Sequence, residues 1–273
     1  MCVLVVGKNS YIAQRFISDI IDAGIQYESH SVRDDKWQEI DYSKFSSVVY
    51  FAAIVHHPEI VDEDLYFKVN ASIPYEMALK CKQQGVSQFI YISTCAVWGV
   101  DPCFGKDNVI DNNTLAKPKG LYGSSKLKGE YLLLSLNDGA FRVAVLRLPN
   151  VYGANCPGRF YHRLELLSKL FILPTLNYNP LFSLISVENA SKAITNVIDN
   201  MKSGIMSPQD PTPLSIVDKI TQIARDKGRV QYQTCLFSPL IRLIYRILPN
   251  KYLKNLYGGY FISTESFETM TDN

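Results

Sequence analysis

The stretch Cys2-Val3-Leu4-Val5-Val6-Gly7-Lys8-Asn9-Ser10-Tyr11-Ile12-Ala13 joins two periodicities. A continuous apolar run ends at a glycine, and beyond it Tyr11, Ile12, Phe16, Ile17, Ile20 and Ile21 fall on one side of a helix. That pattern predicts strand, tight turn, helix. It recurs along the chain. Val48 to Phe51 reads as a buried strand followed by Ala52-Ala53, Leu65 to Lys82 as a helix, and Phe89 to Ile92 as a strand ending at Ser93-Thr94. Tyr122 to Leu136 is then helical and Val143 to Leu146 a strand. Strands that are apolar throughout, alternating with helices, indicate a parallel sheet covered on both faces, an α/β fold.

After Arg147 the alternation loosens. Pro149, Gly153, Pro157, Gly158, Pro174 and Pro180 interrupt it around one helical segment near Phe160 to Leu170. Leu184 to Val187 resumes a strand, and Ala190 to Met201 and Ile216 to Lys227 read as helices. The chain thus divides into a core over 1–150 and a mostly substrate-binding cap over 151–273, with a core strand and helix returning near 183–201. From Phe237 to Leu256 the sequence is basic and apolar. A helix there suits a membrane surface or packing against the cap with Arg242 and Arg246 snorkelling; the packing account is preferred.

Composition excludes several function classes. The 273 residues are 47% hydrophobic and 20% charged, with a formal net charge of +2, which gives no reason to expect nucleic acid as a partner. Cys2, Cys81, Cys95, Cys103, Cys156 and Cys235 form no Cys-x-x-Cys pair and have no histidine at metal spacing, so no metal site is expected. They read as reduced thiols of a cytosolic, cytoplasmic protein. Cys2 to Val6 is too short for a signal-peptide core, and no run approaches the ~20 apolar residues of an integral membrane segment.

Gly7 occupies the first strand-to-helix turn, where close backbone approach and a helix amino terminus together bind a pyrophosphate. Ser10 and Ala13 stand where a Gly-x-x-Gly-x-x-Gly motif has its other glycines, and Asn9, Tyr11 and Ile12 complete the turn. With one true glycine, the segment also fits an ordinary strand-to-helix connection. The second strand, from about Tyr27 to Val32, brings no acidic residue to the place where the ribose of NAD would be held; Ser29, Ser31 and then Arg33 stand there. A hydroxyl with a guanidinium suits a 2′-phosphate, which favours NADP over NAD, although Asp34 or Asp35 could still reach a ribose. Asp41 is a candidate for the adenine amino group, and Ala52 and Ala53 would let a dinucleotide pass close to a Rossmann-type doubly wound sheet.

Tyr122-Gly123-Ser124-Ser125-Lys126 lies 28 residues after Thr94. Four residues apart, Tyr122 and Lys126 share one helix face. A fixed ammonium favours phenolate over a phenol of ordinary pKa about 10, so Tyr122 becomes a candidate general acid or base. The pentapeptide alone also fits an exposed amphipathic helix.

Taken in order, the motifs resemble the extended short-chain dehydrogenases/reductases, also called the NAD-dependent epimerase/dehydratase family. The resemblance rests on Gly7 to Ala13, Tyr50-Phe51-Ala52-Ala53, Asn70, Ile92 to Gly99, Tyr122 to Lys126, Leu146 to Gly153 and Ser186-Val187-Glu188-Asn189. It implies that Thr94, Tyr122 and Lys126 are catalytic: Thr94 hydrogen-bonds the reacting oxygen, Tyr122 exchanges its proton, and Lys126 lowers the tyrosine pKa and holds the nicotinamide ribose. Ser93 would lie beside the nicotinamide, and Asn150 near the substrate phosphates.

The resemblance further implies a nucleotide-linked sugar, UDP- or dTDP-hexose, as substrate, with reaction at C4. Dehydratases of the family carry an acidic pair after the Ser/Thr; here Cys95 and Ala96 stand there, against dehydration. A 4-ketoreductase using NADP is placed ahead of a 4-epimerase holding NAD, and residues 152–160, 173–174 and 179–189 look similar to enzymes of bacterial surface polysaccharide biosynthesis. Leu181 and Phe182 replace an arginine that relatives often use on the diphosphate, so Arg159, His162 or Arg163 is expected to supply that charge, with Cys95 lining the sugar pocket. His56 and His57 would lie near it or form a solvated pair. A two-fold homodimer through helices near Leu65 to Leu79 and Leu127 to Leu136 is expected. A catalytically silent dinucleotide-binding regulator is the alternative of another class, and the retained Thr94, Tyr122 and Lys126 count against it.

Overall fold

β1 (Cys2–Val6) lies between β2 (Gln26–His30) and β3 (Ser47–Tyr50), and β4 (Gln88–Thr94), β5 (Arg142–Leu148) and β6 (Gly204–Met206) continue the sheet beyond β3. Every pair is parallel. The sheet belongs to a computed structural model that describes residues 1–55 and 62–263; His56 and His57 lie outside the described residues. Val3 to Val6 are wholly buried, as are Val48 to Tyr50 and Phe89 to Tyr91. Each such side chain contributes roughly 1.5–3 kcal/mol on leaving water, which is why these strands read as unbroken apolar runs.

Parallel neighbours need crossovers. These are α1 (Tyr11–Asp22), α2 (Glu63–Phe67) with α3 (Ile73–Gln83), α4 (Leu121–Leu134) and α5 (Val187–Asp199). α1 packs with α5, where Arg15 Nη1 meets Glu188 Oε1 at 2.9 Å, while α2 and α3 pack with α4. Between β2 and β3 there is no α-helix; the 3₁₀ turns Asp35–Glu39 and Tyr42–Lys44 cross instead, with Trp37 and Tyr42 buried and the Tyr42 hydroxyl donating to Trp37 O at 2.6 Å. The chain leaves β1 for β2 on one side and β3 on the other, so the crevice for a ligand opens at the carboxyl ends of β1 and β3.

The helix expected over Leu65 to Lys82 is divided. A π-helical turn, Lys68–Ser72, separates α2 from α3. Pro74 has no N–H to return to the Asn70 carbonyl, which accepts from the Tyr91 hydroxyl instead, and Val69 O accepts from Tyr50 at 2.8 Å.

This first unit comprises 1–99, 115–149 and 187–208; the second comprises 100–114, 150–186 and the chain from 209 onward. The second unit is built from short paired strands. Asn150–Tyr152 runs parallel to Leu184–Ser186, Ile172–Pro174 parallel to Tyr232–Thr234, and Leu181–Phe182 antiparallel to Leu214–Ser215. Helices Arg159–Leu167, Ile216–Asp226, Ser238–Ile247 and Lys251–Tyr257 accompany them around Leu164, Leu173, Phe182, Ile220 and Ile241.

One sequence expectation changes. Leu184–Ser186 is a strand, but it pairs with Asn150–Tyr152; the strand that joins the main sheet after α5 is β6, too short to stand out from its turn. The helix Ser238–Ile247 packs through Ile241 into the core of this unit, with Ser238 and Ile241 its two buried residues.

Candidate active site

Because all six strands are parallel, the residues after β1, β3 and β4 share one edge of the sheet. Gly7 follows β1 with φ 91°, and a Cβ there would lie 2.7 Å from Ala52 N. The turn therefore rests directly against the end of β3. Its geometry is fixed by Gly7 N donating to His30 O and Ser10 N to Gly7 O, both at 3.0 Å. Ser10 precedes α1 without capping it through its side chain, and half-buried Tyr11 and Ile12 begin the helix beside exposed Asn9. A backbone cradle that only glycine permits, at the amino end of a helix, fits a pyrophosphate-bearing dinucleotide.

Ser31 and Arg33 follow β2 directly, both exposed, with Arg33 N donating to Ser31 Oγ at 3.1 Å. Asp41 accepts from the Ser43 amide and, at 2.6 Å, from its hydroxyl, capping the turn before β3. These bonds lower its pKa. Ala52 and Ala53 are half-buried. Asn70, wholly buried, clasps the segment after β3 to α4: its amide accepts from Ile54 N and donates to Ile54 O and Ser125 Oγ, each at 3.0 Å. Ser125 Oγ in turn donates to Tyr122 O at 3.1 Å.

Thr94 ends β4, and Tyr122 lies in the first turn of α4. Their hydroxyls are hydrogen-bonded to each other. Burial pushes the Tyr122 pKa up to about 12, against the pull of the Thr94 hydrogen bond. Lys126 is buried one turn further along, where its Nζ donates to Ile92 O at 2.8 Å and lies 4.4 Å from the centre of the Tyr91 ring. Burial pushes its pKa down to about 7, with the Glu130 charge opposing. The ammonium expected to depress the phenol is thus spent on Ile92 and Tyr91, and burial governs both groups. Tyr122 stands as a neutral acid able to share a proton with an oxygen that Thr94 also holds.

Beneath them is a buried ionic group. Glu130 accepts from Ser93 Oγ and from Arg147 Nη2 at 2.6 Å, and Arg147 lies 4.9 Å from the Trp98 ring. Gly129 lets α4 approach closely, since a Cβ there would meet Asn70 O at 2.4 Å. Cys95 is buried with its thiol donating to Arg147 O at 3.5 Å; burial raises its pKa, so it is a neutral thiol. In the second unit, Asn150 is half-buried in its strand, while Arg159, His162 and Arg163 are exposed on one helix. Arg163 lies 5.4 Å from the Tyr252 ring, and His162 Nδ1 lies 4.0 Å from Glu165 Oε2.

The sequence model of the NAD dependent epimerase/dehydratase family matches residues 3–205. The chain belongs to that family. A UDP-glucose 4-epimerase of Vibrio cholerae is 26% identical over 227 residues, covering 80% of this chain and 68% of that relative. Among solved structures, MoeE5 in complex with UDP-glucuronic acid and NAD is similar over 100% of this chain and 94% of its own, with TM-score 0.69 and 16% identity. RMD from Pseudomonas aeruginosa complexed with NADPH is similar over 98% and 93%, with TM-score 0.68 and 14% identity. At those identities the likeness is one of fold.

For this member of the epimerase/dehydratase family, sequence reasoning passed over Glu130, Arg147, Ser125 and Tyr91. A signal for two of them was available. Glu130 stands four residues after Lys126, on the same helix face, and Arg147 interrupts an otherwise apolar strand.

Proposed function

We propose that the chain catalyses NAD(P)-dependent oxidoreduction at C4 of a nucleoside-diphosphate sugar. The observation that carries this reading is the hydrogen-bonded Thr94–Tyr122 pair beside buried Lys126, at the sheet edge where Gly7 makes its cradle. When bound, the nicotinamide supplies hydride exchange with the sugar carbon. The chain's own part is orientation and proton transfer. Thr94 holds the reacting oxygen and Tyr122 gives it a proton or takes one back, while Gly7, Asn9, Ser10, Tyr11, Ile12, Ala52, Ala53, Ser93 and Lys126 hold the dinucleotide. Arg159 and His162 are candidate ligands for a diphosphate.

The Vibrio cholerae relative supports 4-epimerisation, in which the carbon is oxidised and then reduced from the other face. Ser31 and Arg33, exposed after β2, support the second reading, a single 4-keto reduction with NADP. The two readings differ in whether cofactor is consumed. Purified protein is incubated with UDP-glucose, with and without added NAD, and products are separated by chromatography. UDP-galactose formed without net change in absorbance at the nicotinamide band supports epimerisation. Stoichiometric NADPH oxidation with a 4-keto nucleotide sugar, and no epimerisation, supports the reductase. Absence of both across UDP- and dTDP-hexoses overturns the proposal.

A further inference from the structure

The helix Ser238–Ile247 has two apolar faces where a packing helix needs one. On the inner face Ile241 joins the core of the second unit, and Tyr245 stacks on Phe104 with ring centres 3.9 Å apart. On the outer face Leu240, Leu243, Ile244 and Ile247 follow helical spacing, and all four are exposed, Ile247 to 67%. Leu236 and Leu248 extend this stripe at the two ends, at 78% and 68%. Single exposed leucines are ordinary on a soluble surface, but six large aliphatic side chains within thirteen residues mark a surface that meets something.

Charge says what. Between Asp226 and Glu265 the sequence has no carboxylate side chain, yet it carries Lys227, Arg229, Arg242, Arg246, Lys251 and Lys254. Lys227 pairs with Glu165 and Lys254 with Asp101, and the Arg242 guanidinium lies by Gly105. Arg246, next to Ile247 on the helix, and Lys251 are exposed cations close to the stripe in sequence. A two-fold contact between copies through this face would set cations against cations, so the charge disfavours a second copy. An anionic lipid surface matches both parts, since apolar side chains enter the acyl boundary while Arg and Lys remain at the phosphates. No helix of the described residues is long and apolar enough to cross a membrane, so the contact is peripheral. We infer that the Leu240–Ile247 face docks reversibly on an anionic bilayer, independently of the catalytic reading.

The test uses the full chain and vesicle cosedimentation. Vesicles of phosphatidylcholine containing about one-third phosphatidylglycerol are expected to bind it, and pure phosphatidylcholine at least about tenfold less. Raising salt from about 0.05 to 0.5 M should release it. Leu243→Ser/Ile247→Ser and, separately, Arg246→Gln/Lys251→Gln should each weaken binding about tenfold or more, with circular dichroism and dinucleotide affinity unchanged. The inference is overturned if the full chain ignores anionic vesicles, or if neither pair of substitutions changes binding. It is overturned equally by a dimer in sedimentation velocity that Leu243→Ser/Ile247→Ser dissociates, which would make the occupant a second copy.

Discussion

Glu130 stands one turn beyond Lys126 on the buried face of α4, yet its carboxylate is held by Arg147, Nε to Oε1 at 3.2 Å and Nη2 to Oε2 at 2.6 Å. The two partners differ in consequence. An ion pair this buried gains Coulomb energy only by offsetting desolvation, and removing one member strands the other. Glu130→Gln and Arg147→Met are each expected to cost about 3–5 kcal/mol, whereas the double variant costs far less than their sum. Urea denaturation of the four proteins measures this. Additive losses would show that the pair is not coupled.

The hydroxyl pair makes a kinetic prediction. Tyr122→Phe removes the proton donor while keeping the ring, and Thr94→Ala removes the second hydroxyl. Each should lower kcat by about 10²–10⁴ and leave dinucleotide affinity within a few-fold, since acid–base catalysis contributes on that scale. Turnover of the nucleotide sugar and cofactor titration by fluorescence are measured side by side. A Tyr122→Phe protein that retains full turnover removes the phenol from the chemistry.

Lys126 links pH to stability in a defined direction. Its pKa is lowered from 10.5 to about 7 in the fold, so between those values the unfolded chain carries a proton that the folded chain does not. Stability therefore rises with pH across that window, and below about pH 7 the fold bears the full cost of a buried ammonium. From pH 7 to 9 the gain is on the order of 2 kcal/mol. Lys126→Met should abolish the gradient. Denaturation of both proteins at pH 7, 8 and 9 checks it, with a gradient of unchanged slope in Lys126→Met as the contrary result.

What the sequence made legible follows from what each segment buries. β1, β3, β4 and β5 are enclosed on both faces, so their apolar runs named them. Gly7 and Thr94 fall at one edge because parallel strands deliver their carboxyl ends there, and Tyr122 and Lys126 fall one turn apart because both lie in α4. α4 was harder, since its buried face carries Ser125, Lys126 and Glu130 and so lacks an apolar stripe. The π turn at Asn70 was hidden for another reason. Its carbonyls are satisfied by Tyr50 and Tyr91, from strands distant in sequence, and no local periodicity reports such partners. The second unit rests on paired strands of two or three residues, below the length at which alternation can be read.

Gly7 allows the close approach of β1 to β3 to be separated from backbone strain. Gly7 and Gly24 both have positive φ, 91° and 70°, but a Cβ at Gly24 meets nothing within 4 Å, whereas at Gly7 it meets the Ala52 backbone at 2.7 Å. Gly24→Ala should therefore cost only the strain of a left-handed residue, about 1–2 kcal/mol, and leave dinucleotide affinity intact. Gly7→Ala bears that strain and must also push the turn away from β3, displacing the cradle. It is expected to cost several-fold more stability and to lower dinucleotide affinity about 100-fold or beyond, on the scale of a lost 3 kcal/mol. Ala52→Gly should not rescue it, because the nearest atoms are backbone rather than the Ala52 Cβ at 3.1 Å. Thermal melts and cofactor titrations of Gly24→Ala, Gly7→Ala and Gly7→Ala/Ala52→Gly decide the matter; full affinity in Gly7→Ala would mean that the dinucleotide does not use this turn.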